Sequence, residues 1–480
     1  MSAVWLYGLF IIPVVGILMV LVARGPLKAW VNVVVTGINL LYFLAGWFGL
    51  FRTGHSFAIP LFHLSGFSAL VIGITLFVGF TGALYSVHYL ELENRQHALH
   101  GEHQQRSYPL LFLLFYFTLV VAPLWNNVLV TWGFIEATAL SSVLLVDFHQ
   151  DRRSSEAAWK YIILMEIGGI LALFGTLMIV SGEPVSLHTA TWQGLIQNAK
   201  FISPIHLKIG FALVLAGYGT KAGLVPFNAW LPDAHSQAPS PISALLSATK
   251  LNVAMYGIVM TMRVLAADDM GRYAHLIMIA LGVLTVLVST LMTISQHDFK
   301  RLFAYSSSEN LGLIAIGFAL GPIGTIGAEL QMVNHSLIKS LLFYQSGDLM
   351  AAASSTQIQK LRGFALAYPW MGGIFILALL AIAGAPPFGL FISEFTILYA
   401  IMHEGAIWLA VLILALLALL FANFLRYALQ MGFGLPSDAV EKFKRLYHQM
   451  EWRAMVPFGL HLVLVLILGI ALPFFLPIIQ

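Results

Sequence analysis

Long apolar stretches alternate with short polar ones along almost the whole chain. Fourteen of these stretches approach or exceed the roughly 20 residues that a helix needs to cross a bilayer. They cover residues 4–23, 29–51, 68–90, 108–125, 127–147, 158–181, 205–225, 241–264, 273–294, 302–320, 327–350, 367–400, 405–429 and 455–477. The pattern predicts an all-α, polytopic membrane protein with about fourteen transmembrane helices.

The composition agrees with this prediction. Of the 480 residues, 59% are hydrophobic and only 9% are charged, whereas about 25% of a typical soluble domain is charged. No polar stretch is long enough for a separate soluble domain, so residues 1–480 are expected to form a single membrane domain. The first apolar stretch has no basic region before it and no small-residue cleavage site, so it is interpreted as a span rather than a signal peptide.

Several classes of chemistry are excluded by the sequence. It contains no cysteine, which excludes disulfides, thiolate metal sites and cysteine-ligated iron–sulfur clusters in this chain. It also contains no Walker A loop, dinucleotide fingerprint, His-Glu-x-x-His motif or Gly-x-Ser-x-Gly motif. We therefore expect no cofactor, no metal site and no catalytic or redox centre in this chain. The net charge of +3 is scattered and does not predict nucleic-acid binding.

Lysine and arginine are unequally divided between the two sides of the predicted topology. Sixteen of the 24 fall on one side, five on the other and three within spans. Basic loops are retained in the cytoplasm, so the side with sixteen is predicted to be cytoplasmic. Because the number of spans is even, both termini are predicted to lie on the periplasmic side.

Ionisable residues inside the predicted spans are the most informative feature, because a charge at mid-bilayer costs at least about 2.5–3.5 kcal/mol. They are Glu136, Glu166, Lys221, Lys250, Glu309, His335, Lys339 and Glu394. Such residues indicate a route for ions. Simpler interpretations exist for some of them: a static Glu136–Lys221 pair, a hydrogen-bonded core histidine at 335, and a solvated Glu309. Asp348 is interpreted as lying at a helix end.

Prolines interrupt two of the predicted spans close to these charges. Pro226 follows Lys221 by five residues, and Pro386 and Pro387 precede Glu394. Spans 7 and 12 are therefore predicted to be discontinuous. Broken helices in corresponding positions of two halves point to the conduction region of a transporter, although proline also kinks membrane helices for packing reasons alone.

These residue types suit proton transfer. Burial lowers the pKa of a lysine and raises that of a carboxylate, and a nearby opposite charge reverses either shift. Moving one charge can therefore load or unload its neighbour, with histidine as a relay. The predicted proton path comprises Glu136, Lys221, Lys250, His335, Lys339 and Glu394, with Glu166 and Glu309 as further candidates.

Four segments carry a resemblance to a known family. They are TKAGLVPFNAWLPDAHSQAPSPISALLS (220–247), HDFKRLFAYSSSENLG (297–312), LQMVNHSLIKSLLFYQSGDL (330–349) and GAPPFGLFISEF (384–395). The chain resembles the antiporter-like, proton-translocating membrane subunits of respiratory complex I and of group 4 nickel–iron hydrogenases. The likeness is strongest to the component F type of hydrogenase-4.

The resemblance implies an antiporter-like core over residues 68–430, with two inverted five-helix repeats at about 108–264 and 273–429. It implies that Glu136 and Lys221 match the family's glutamate of span 5 and lysine of span 7. His335 and Lys339 match its span 11 relay, and Glu394 matches its acidic residue of span 12. Two positions depart from the family pattern. Asn310 stands where histidine is frequent, and Asn252, rather than Lys250, aligns with the lysine of span 8.

The expected function is that of a proton-translocating subunit in a respiratory or hydrogenase-type oxidoreductase complex of the bacterial inner membrane. Its expected partners are other membrane subunits, a peripheral oxidoreductase module, the lipid bilayer and protons. The alternatives are a subunit of a multi-subunit sodium/proton antiporter, a membrane subunit that couples proton flow to inorganic-carbon uptake, and a purely structural anchor.

Overall fold

The computed structural model describes residues 5–51, 57–59, 61–96, 102–181, 190–353, 355–441 and 452–479. It is 86% helical. Within these residues the only strands form a small antiparallel hairpin of β1 (Phe57–Ala58) and β2 (His63–Leu64), in which Phe57 lies opposite Leu64. The predicted all-α class is therefore confirmed.

Nineteen α-helices are found in the described part of the chain. They are α1 (Leu6–Val22), α2 (Leu27–Phe51), α3 (Gly66–Gln96), α4 (Glu102–Val121), α5 (Val128–Val146), α6 (Arg152–Ser181), α7 (Trp192–Asn198), α8 (Pro204–Ala222), α9 (Trp230–Gln237), α10 (Ser240–Leu245), α11 (Leu251–Ala267), α12 (Gly271–Ile294), α13 (Phe299–Phe318), α14 (Gly321–Ala353), α15 (Phe364–Ala367), α16 (Pro369–Ile382), α17 (Gly389–His403), α18 (Ile407–Gly432) and α19 (Trp452–Ile479). Short 3-10 turns lie at Ala122–Leu124, Ala199–Phe201 and Ile358–Leu361.

The protein is a multi-pass membrane protein. Each predicted span coincides with one of these helices or, for spans 8 and 12, with two. Nine helical segments of the described chain are long and apolar enough to cross a bilayer. Helices α1, α16 and α17 have only 17, 14 and 15 residues, and α8, α13 and α14 carry buried ionisable residues. The count of fourteen spans therefore stays a prediction.

Polar side chains fix where several helices begin. The side chain of Asn127 accepts from the backbone N–H of Leu129 at 3.0 Å and starts α5. Asp298 accepts from Arg301 N–H at 2.9 Å and starts α13. These caps satisfy donors that the first helical turn leaves without partners.

The chain divides into two compact units. Unit 1 comprises residues 1–83, 101–230 and 249–278. Within it, α6 packs on α8 through facing glycines. A Cβ on Gly217 would lie 2.4 Å from the Gly168 carbonyl oxygen, and a Cβ on Gly175 would lie 2.5 Å from that of Gly210. Small residues allow this close backbone approach, which brings the end of α8 against the middle of α6.

Unit 2 comprises residues 84–100, 231–248 and 279–480. Its central element is α14, a continuous helix of 33 residues that packs against α10, α13, α16, α17 and α19. An apolar cluster beside it includes Val286, Ile316, Ile397 and Ile413. The division into one domain and two inverted repeats stays a prediction.

The two predicted helix interruptions are present, but glycines end the helices before the prolines do. Helix α8 ends at Ala222 because Gly223 takes a left-handed conformation with φ of 73°. Helix α16 ends at Ile382, and Gly384 has φ of 75°. A glycine in this conformation closes a helix C-terminus without steric cost. The prolines that follow have no N–H to extend a helix.

A feature that the sequence did not predict lies between α10 and α11. Residues Leu246–Lys250 form a π-helical turn. Such turns insert an extra residue into a helix and occur frequently at functional sites. Lys250 is the last residue of this turn, so the π turn decides the direction of its side chain.

Candidate functional site

The first candidate site lies in unit 1, around a buried ion pair. Lys221 lies in the last turn of α8 and is fully buried. Its Nζ donates to Glu136 Oε1 at 3.0 Å and to the Met165 carbonyl oxygen at 3.0 Å. A cation is favoured at a helix C-terminus, where the helix dipole is negative. The interruption of α8 therefore places the ammonium where the backbone field stabilises it.

The second oxygen of Glu136 lies against a glycine. Among the described residues, Glu136 Oε2 has no hydrogen-bond partner. A Cβ on Gly169 would lie only 1.8 Å from this oxygen, so any other residue at position 169 would displace the carboxylate. Trp132 Nε1 donates to the Gly169 carbonyl at 2.9 Å and holds α6 at this position. Gly169 therefore positions the carboxylate on which Lys221 depends.

Lys250 belongs to the same site, although the sequence left its direction open. Its Nζ donates to the Tyr161 hydroxyl and contacts Met165 Sδ at 3.3 Å. It also lies 4.2 Å from the centre of the Tyr161 ring and 4.8 Å from that of the Trp230 ring. Aromatic faces attract a cation. Electrostatic interactions connect it to both Lys221 and Glu136, which makes Lys250 a third charge in this cluster.

Glu166 lies at the edge of the cluster. It interacts electrostatically with Glu136 and Lys221, but within the described residues it forms no ion pair, and its Oε1 has no hydrogen-bond partner. Its side chain is partly exposed. The structure therefore brings Glu166 near the Glu136–Lys221 pair without making it a direct partner of either residue.

The second candidate site lies in unit 2 and surrounds Lys339 on α14. Lys339 Nζ donates to the Phe303 carbonyl oxygen at 2.7 Å and to the Ser306 hydroxyl. It is fully buried, and no carboxylate of the described residues lies within ion-pair distance. His335, one turn away, is also fully buried, and neither of its ring nitrogens has a hydrogen-bond partner among the described residues. The simpler interpretation of His335 as a hydrogen-bonded core histidine is therefore wrong.

Glu309 and Glu394 are connected through amide side chains. Asn310 Nδ2 donates to Glu309 Oε2 at 2.8 Å, and Gln331 Nε2 donates to Asn310 Oδ1 at 2.7 Å. Gln331 also hydrogen-bonds the Glu394 side chain. Glu309 is fully buried within α13, so the interpretation of a solvated residue is wrong. Asn310, which departs from the family pattern, is a bridging group in this chain.

The second helix interruption contacts Glu394 directly. Glu394 lies in α17, shortly after the break that contains Pro386 and Pro387. A Cβ on Gly384 would lie 2.2 Å from Glu394 Oε2. Gly384 therefore ends α16 and also makes room for the carboxyl group, so in this half of the chain a single glycine serves both roles.

The structure brings the predicted residues into two groups. Within unit 1, Glu136, Lys221 and Lys250 lie together, with Glu166 beside them and Pro226 in the adjoining break. Within unit 2, Lys339, His335, Glu309 and Glu394 lie on three helices that pack together. Sequence reasoning missed the residues that position these groups, which are Tyr161, Gly169, Trp230, Ser306, Gln331 and Gly384. Their types are common in any membrane helix, so only their spatial neighbours reveal their role.

Both sites consist of groups that can hold or exchange a proton. The lysines, glutamates and histidine are buried, and hydroxyl or amide groups hold them in place. In the described part of the chain, no three His, Asp or Glu side chains converge in a way that could hold a metal ion. Groups of these types, held in this way, can pass a proton from one to the next.

Comparison with known proteins gives these sites a context. The profile of the family described as "NADH:quinone oxidoreductase/Mrp antiporter, TM" matches residues 126–420, which include every predicted site residue. A relative described as a hydrogenase-4 component F homolog, from Methylacidiphilum infernorum, is 34% identical over 472 residues, which cover 97% of this chain and 96% of the relative.

Two solved structures share the fold. A chain of the membrane-bound sulfane sulfur reductase, an archaeal respiratory membrane complex, matches with a TM-score of 0.86 at 24% identity, covering 98% of this chain and 96% of that chain. A chain of the Mrp complex from Dietzia sp. DQ12-45-1b matches with a TM-score of 0.83 at 20% identity, covering 97% and 94%. At these identities the likeness establishes the fold.

Proposed function

This chain belongs to the NADH:quinone oxidoreductase/Mrp antiporter membrane family, and we propose that it transfers protons across a membrane as one subunit of a larger redox-driven complex. The observation that carries the proposal is the fully buried Lys221, held by Glu136 at 3.0 Å at the broken end of α8. A buried ion pair is expensive to keep and is often replaceable by apolar packing. Its presence is explained if the pair opens and closes during transport.

Proton transfer in unit 1 begins with the ion pair. While Glu136 is ionised and close, Lys221 keeps its proton. When Glu136 is protonated or its charge is drawn away, the buried ammonium loses its stabilisation and releases a proton. Lys250 interacts electrostatically with both members of the pair, and its Nζ lies close to the Tyr161 and Trp230 rings, whose faces attract a cation.

Proton transfer in unit 2 uses ionisable groups that form no ion pair among the described residues. Lys339 is held by a carbonyl and a hydroxyl oxygen, both of which remain acceptors in either protonation state of the lysine. His335 has both ring nitrogens available for exchange. Glu309 and Glu394 are held by the Asn310 and Gln331 amides, which do not titrate and so act as positioning groups. Protons are taken up on the cytoplasmic side and released near Lys339 and Glu394.

The proposed setting is the bacterial inner membrane, with both termini on the periplasmic side. The chain has no redox centre of its own in this proposal. A peripheral oxidoreductase module and further membrane subunits supply the driving force. The similarity to a hydrogenase-4 component F homolog over 97% of the chain supports this assignment.

Sodium is the competing coupling ion, because the family also includes Mrp antiporters. Sodium is a hard cation and prefers several oxygen ligands. In unit 1 the carboxylate already binds an ammonium at 3.0 Å, and a lysine beside a carboxylate repels a metal cation. The geometry therefore favours protons, and a flux that requires added sodium would contradict this choice.

The test is a liposome assay. The tagged chain, purified with its associated subunits, is reconstituted into liposomes, a potassium diffusion potential is imposed, and a trapped pH dye reports proton flux. Lys221→Ala and Glu136→Gln are expected to reduce the flux at least about tenfold, because positioned proton-transfer groups typically contribute about 10²–10⁴-fold. Unchanged flux in both variants would leave the structural anchor as the explanation.

The chain offers a matched control on α6. Glu156 and Lys160 form an ion pair of 2.7 Å, but their side chains are 60% and 51% exposed. Exposed pairs of this kind contribute little, so Glu156→Gln removes the same chemical group without affecting a buried charge. Its flux is expected to equal that of the wild type.

A further inference from the structure

A third cluster of ionisable residues lies in unit 2, outside the two sites described above. Asp348 lies on α14, nine residues beyond Lys339, which is about 14 Å along the helix axis. Tyr85 Oη donates to Asp348 Oδ2 at 2.9 Å, and His88 Nε2 lies 2.8 Å from Asp348 Oδ1. The interpretation of Asp348 as a helix-end residue is wrong, because α14 continues to Ala353 and the side chain is buried.

Ordinary packing does not account for this cluster. His88 and Asp348 are only 6% and 7% exposed, and both lie on membrane helices, where ionisable residues are rare and costly. A buried pair of this kind is often no more stable than apolar residues of similar size. The pair can, however, hold a proton on either partner, because an imidazole nitrogen and a carboxylate oxygen can each accept one.

On its outer side the cluster leads toward solvent. Glu91 and Glu93 follow His88 on the last turns of α3 and are partly exposed. Glu91 forms a bidentate ion pair with Arg453, in which Nη1 donates to Oε1 at 2.5 Å and Nη2 donates to Oε2 at 2.9 Å. The Glu91 side chain is 43% exposed. Tyr89 Oη donates to Glu93 Oε1 at 2.7 Å. Exposure therefore falls along α3 from these carboxylates to the His88–Asp348 pair.

On its inner side the cluster leads to Lys339 along a row of hydroxyl groups. Ser346 Oγ on α14 lies 3.0 Å from Ser240 Oγ on α10. Seven residues further along the chain than Ser240, within the π turn, Ser247 Oγ lies 2.8 Å from Ser307 Oγ on α13. Lys339 Nζ donates to the hydroxyl of Ser306, the residue before Ser307 on α13. Hydroxyl groups both donate and accept, so these two pairs of hydroxyl groups are compatible with proton passage.

We infer that Tyr85, His88 and Asp348 form a proton-loading site that supplies Lys339 from the side of the membrane at which α3 ends. The inference rests on the proposed proton-transfer function. In the loading step, the His88–Asp348 pair gains one proton from the aqueous side. In the unloading step, that N–H or O–H bond breaks, the pair returns to neutral imidazole and carboxylate, and a new N–H bond forms on the neutral amine of Lys339.

The surroundings of the pair determine which groups share its titration. Tyr344 on α14 stacks on Tyr85 with ring centres 5.0 Å apart, and His461 on α19 lies 5.6 Å from the Tyr344 ring. The His461 Nδ1 atom lies 2.8 Å from the Leu337 carbonyl oxygen. Among the described residues, the titratable or charged groups around the cluster are Tyr89, Glu91 and Glu93 from α3, Lys300 from α13, Tyr344 from α14, and Arg453 and His461 from α19. From α10, Ser240 contributes only a hydroxyl.

The test uses Asp348→Asn and Asp348→Glu in the liposome assay, with the pH varied on one side at a time. In Asp348→Asn, flux at neutral pH is expected to fall at least about tenfold, and Asp348→Glu is expected to restore most of it. Wild-type flux is expected to saturate as the pH falls on the α3-end side, because a discrete site fills. In Asp348→Asn the flux is expected to rise in proportion to proton concentration. His88→Gln is expected to shift the saturation to lower pH.

Two controls separate this inference from the proposed function. Thr75→Val removes a buried hydroxyl on the same helix α3, bonded only locally to the Val71 carbonyl at 2.8 Å, and its flux is expected to equal that of the wild type. If Asp348→Asn keeps wild-type flux and saturation while Lys221→Ala abolishes flux, the loading site is wrong and the proposed function stands. A loss in Asp348→Asn that Asp348→Glu does not restore, accompanied by a lower melting temperature, would show a structural role instead. If neither variant changes the flux, the proposed function itself fails.

Discussion

The contact between Gly169 and Glu136 provides the most direct test of how the charged pair works. Substitution of Gly169 with alanine adds a single methyl group, whose carbon would lie 1.8 Å from Glu136 Oε2 and 2.4 Å from its Cδ. Ordinary contacts begin at 3.4 Å. The carboxylate oxygen must therefore retreat by about 1.6 Å, while the charges of the site stay chemically unchanged.

The effect on the ion pair follows from this displacement. If the retreat is directed away from Lys221, the N–O distance grows from 3.0 Å to about 4.6 Å. With an effective dielectric constant of about 20, the attraction weakens from about 5.5 to about 3.6 kcal/mol. The loss of about 2 kcal/mol corresponds to roughly a 25-fold change in the equilibrium between charged and neutral pair. We expect proton flux in Gly169→Ala to fall by up to about this factor.

The assay compares Gly169→Ala with a matched glycine substitution. Gly133 lies on α5, the same helix as Glu136, and a Cβ added there has no atom within 4 Å. Alanine raises helix propensity by about 1 kcal/mol at either position, so neither variant should lose helix stability. Gly133→Ala is expected to keep wild-type flux in the liposome assay and a melting temperature equal to or above that of the wild type.

One result would refute the reasoning. If Gly169→Ala folds with a normal melting temperature and conducts protons as the wild type does, then the distance between Glu136 and Lys221 does not control transfer. The pair would then be a static ion pair.

Three further predictions address other parts of unit 1. Removal of one member of the buried pair, by Glu136→Gln, should lower the free energy of unfolding by about 3–5 kcal/mol, whereas Glu136→Gln combined with Lys221→Met should be close to neutral; both should lose proton flux, measured beside thermal unfolding. Tyr161→Phe removes the hydroxyl that accepts from Lys250, a bond to a charged group worth about 1.5–3 kcal/mol, and should reduce flux and shift its pH profile. Asp151→Ala should lower the free energy of unfolding by about 1 kcal/mol, because Asp151 caps α6, and flux per folded protein should not change.

The pH dependence of the Asp151 effect has a defined sign. Backbone hydrogen bonds from Ser154 and Arg153 hold the pKa of Asp151 below its ordinary value. The stability that Asp151 contributes is therefore fully present above about pH 3.9, its pKa in the unfolded chain. This stability is lost as the pH falls through the lower pKa of Asp151 in the folded chain. Asp151→Asn, which can still cap the helix, is the control.

Other outcomes would contradict these three predictions. A stable double variant of Glu136 and Lys221 that still conducts protons would show that the pair is structural. Wild-type flux with an unchanged pH profile in Tyr161→Phe would exclude Lys250 from the path. A stability difference between wild type and Asp151→Ala that does not shrink in acid would contradict the capping argument.

Much of the fold could be predicted from the sequence because its signals are local. Apolar stretches of about 20 residues predict membrane helices wherever they occur. Each predicted span coincides with one or two helices of the structure. Prolines marked both interruptions for the same reason. The structure moved the ends of these helices to Gly223 and Gly384, because a glycine with positive φ closes a helix on its own.

The partners of the ionisable residues could not be predicted in the same way. Gly169 and Glu136 lie on different helices, and their contact depends on how closely α5 and α6 pack. Lys250 shows most clearly that the partner of an ionisable residue could not be predicted from the sequence. The family resemblance places the lysine position of span 8 at Asn252, and no residue pattern in LSATK predicts a π turn. An extra residue in the turn changes which side chains face a neighbouring helix, and it directs Lys250 to Tyr161 and Met165.

The two units share one steric arrangement, a glycine against a carboxyl group, but surround it with different electrostatics. In each unit a carboxyl group lies against a glycine whose Cβ would collide with it, Gly169 beside Glu136 and Gly384 beside Glu394. Glu136 has an ammonium at 3.0 Å, which stabilises an ionised carboxylate. Glu394 hydrogen-bonds an uncharged amide and has no cation within ion-pair distance among the described residues, and an isolated buried carboxylate is far more costly than a protonated one. The same arrangement therefore places the carboxyl group of Glu136 beside a cation in unit 1 and that of Glu394 beside an uncharged amide in unit 2, so the two groups enter the proposed proton transfer from different electrostatic environments.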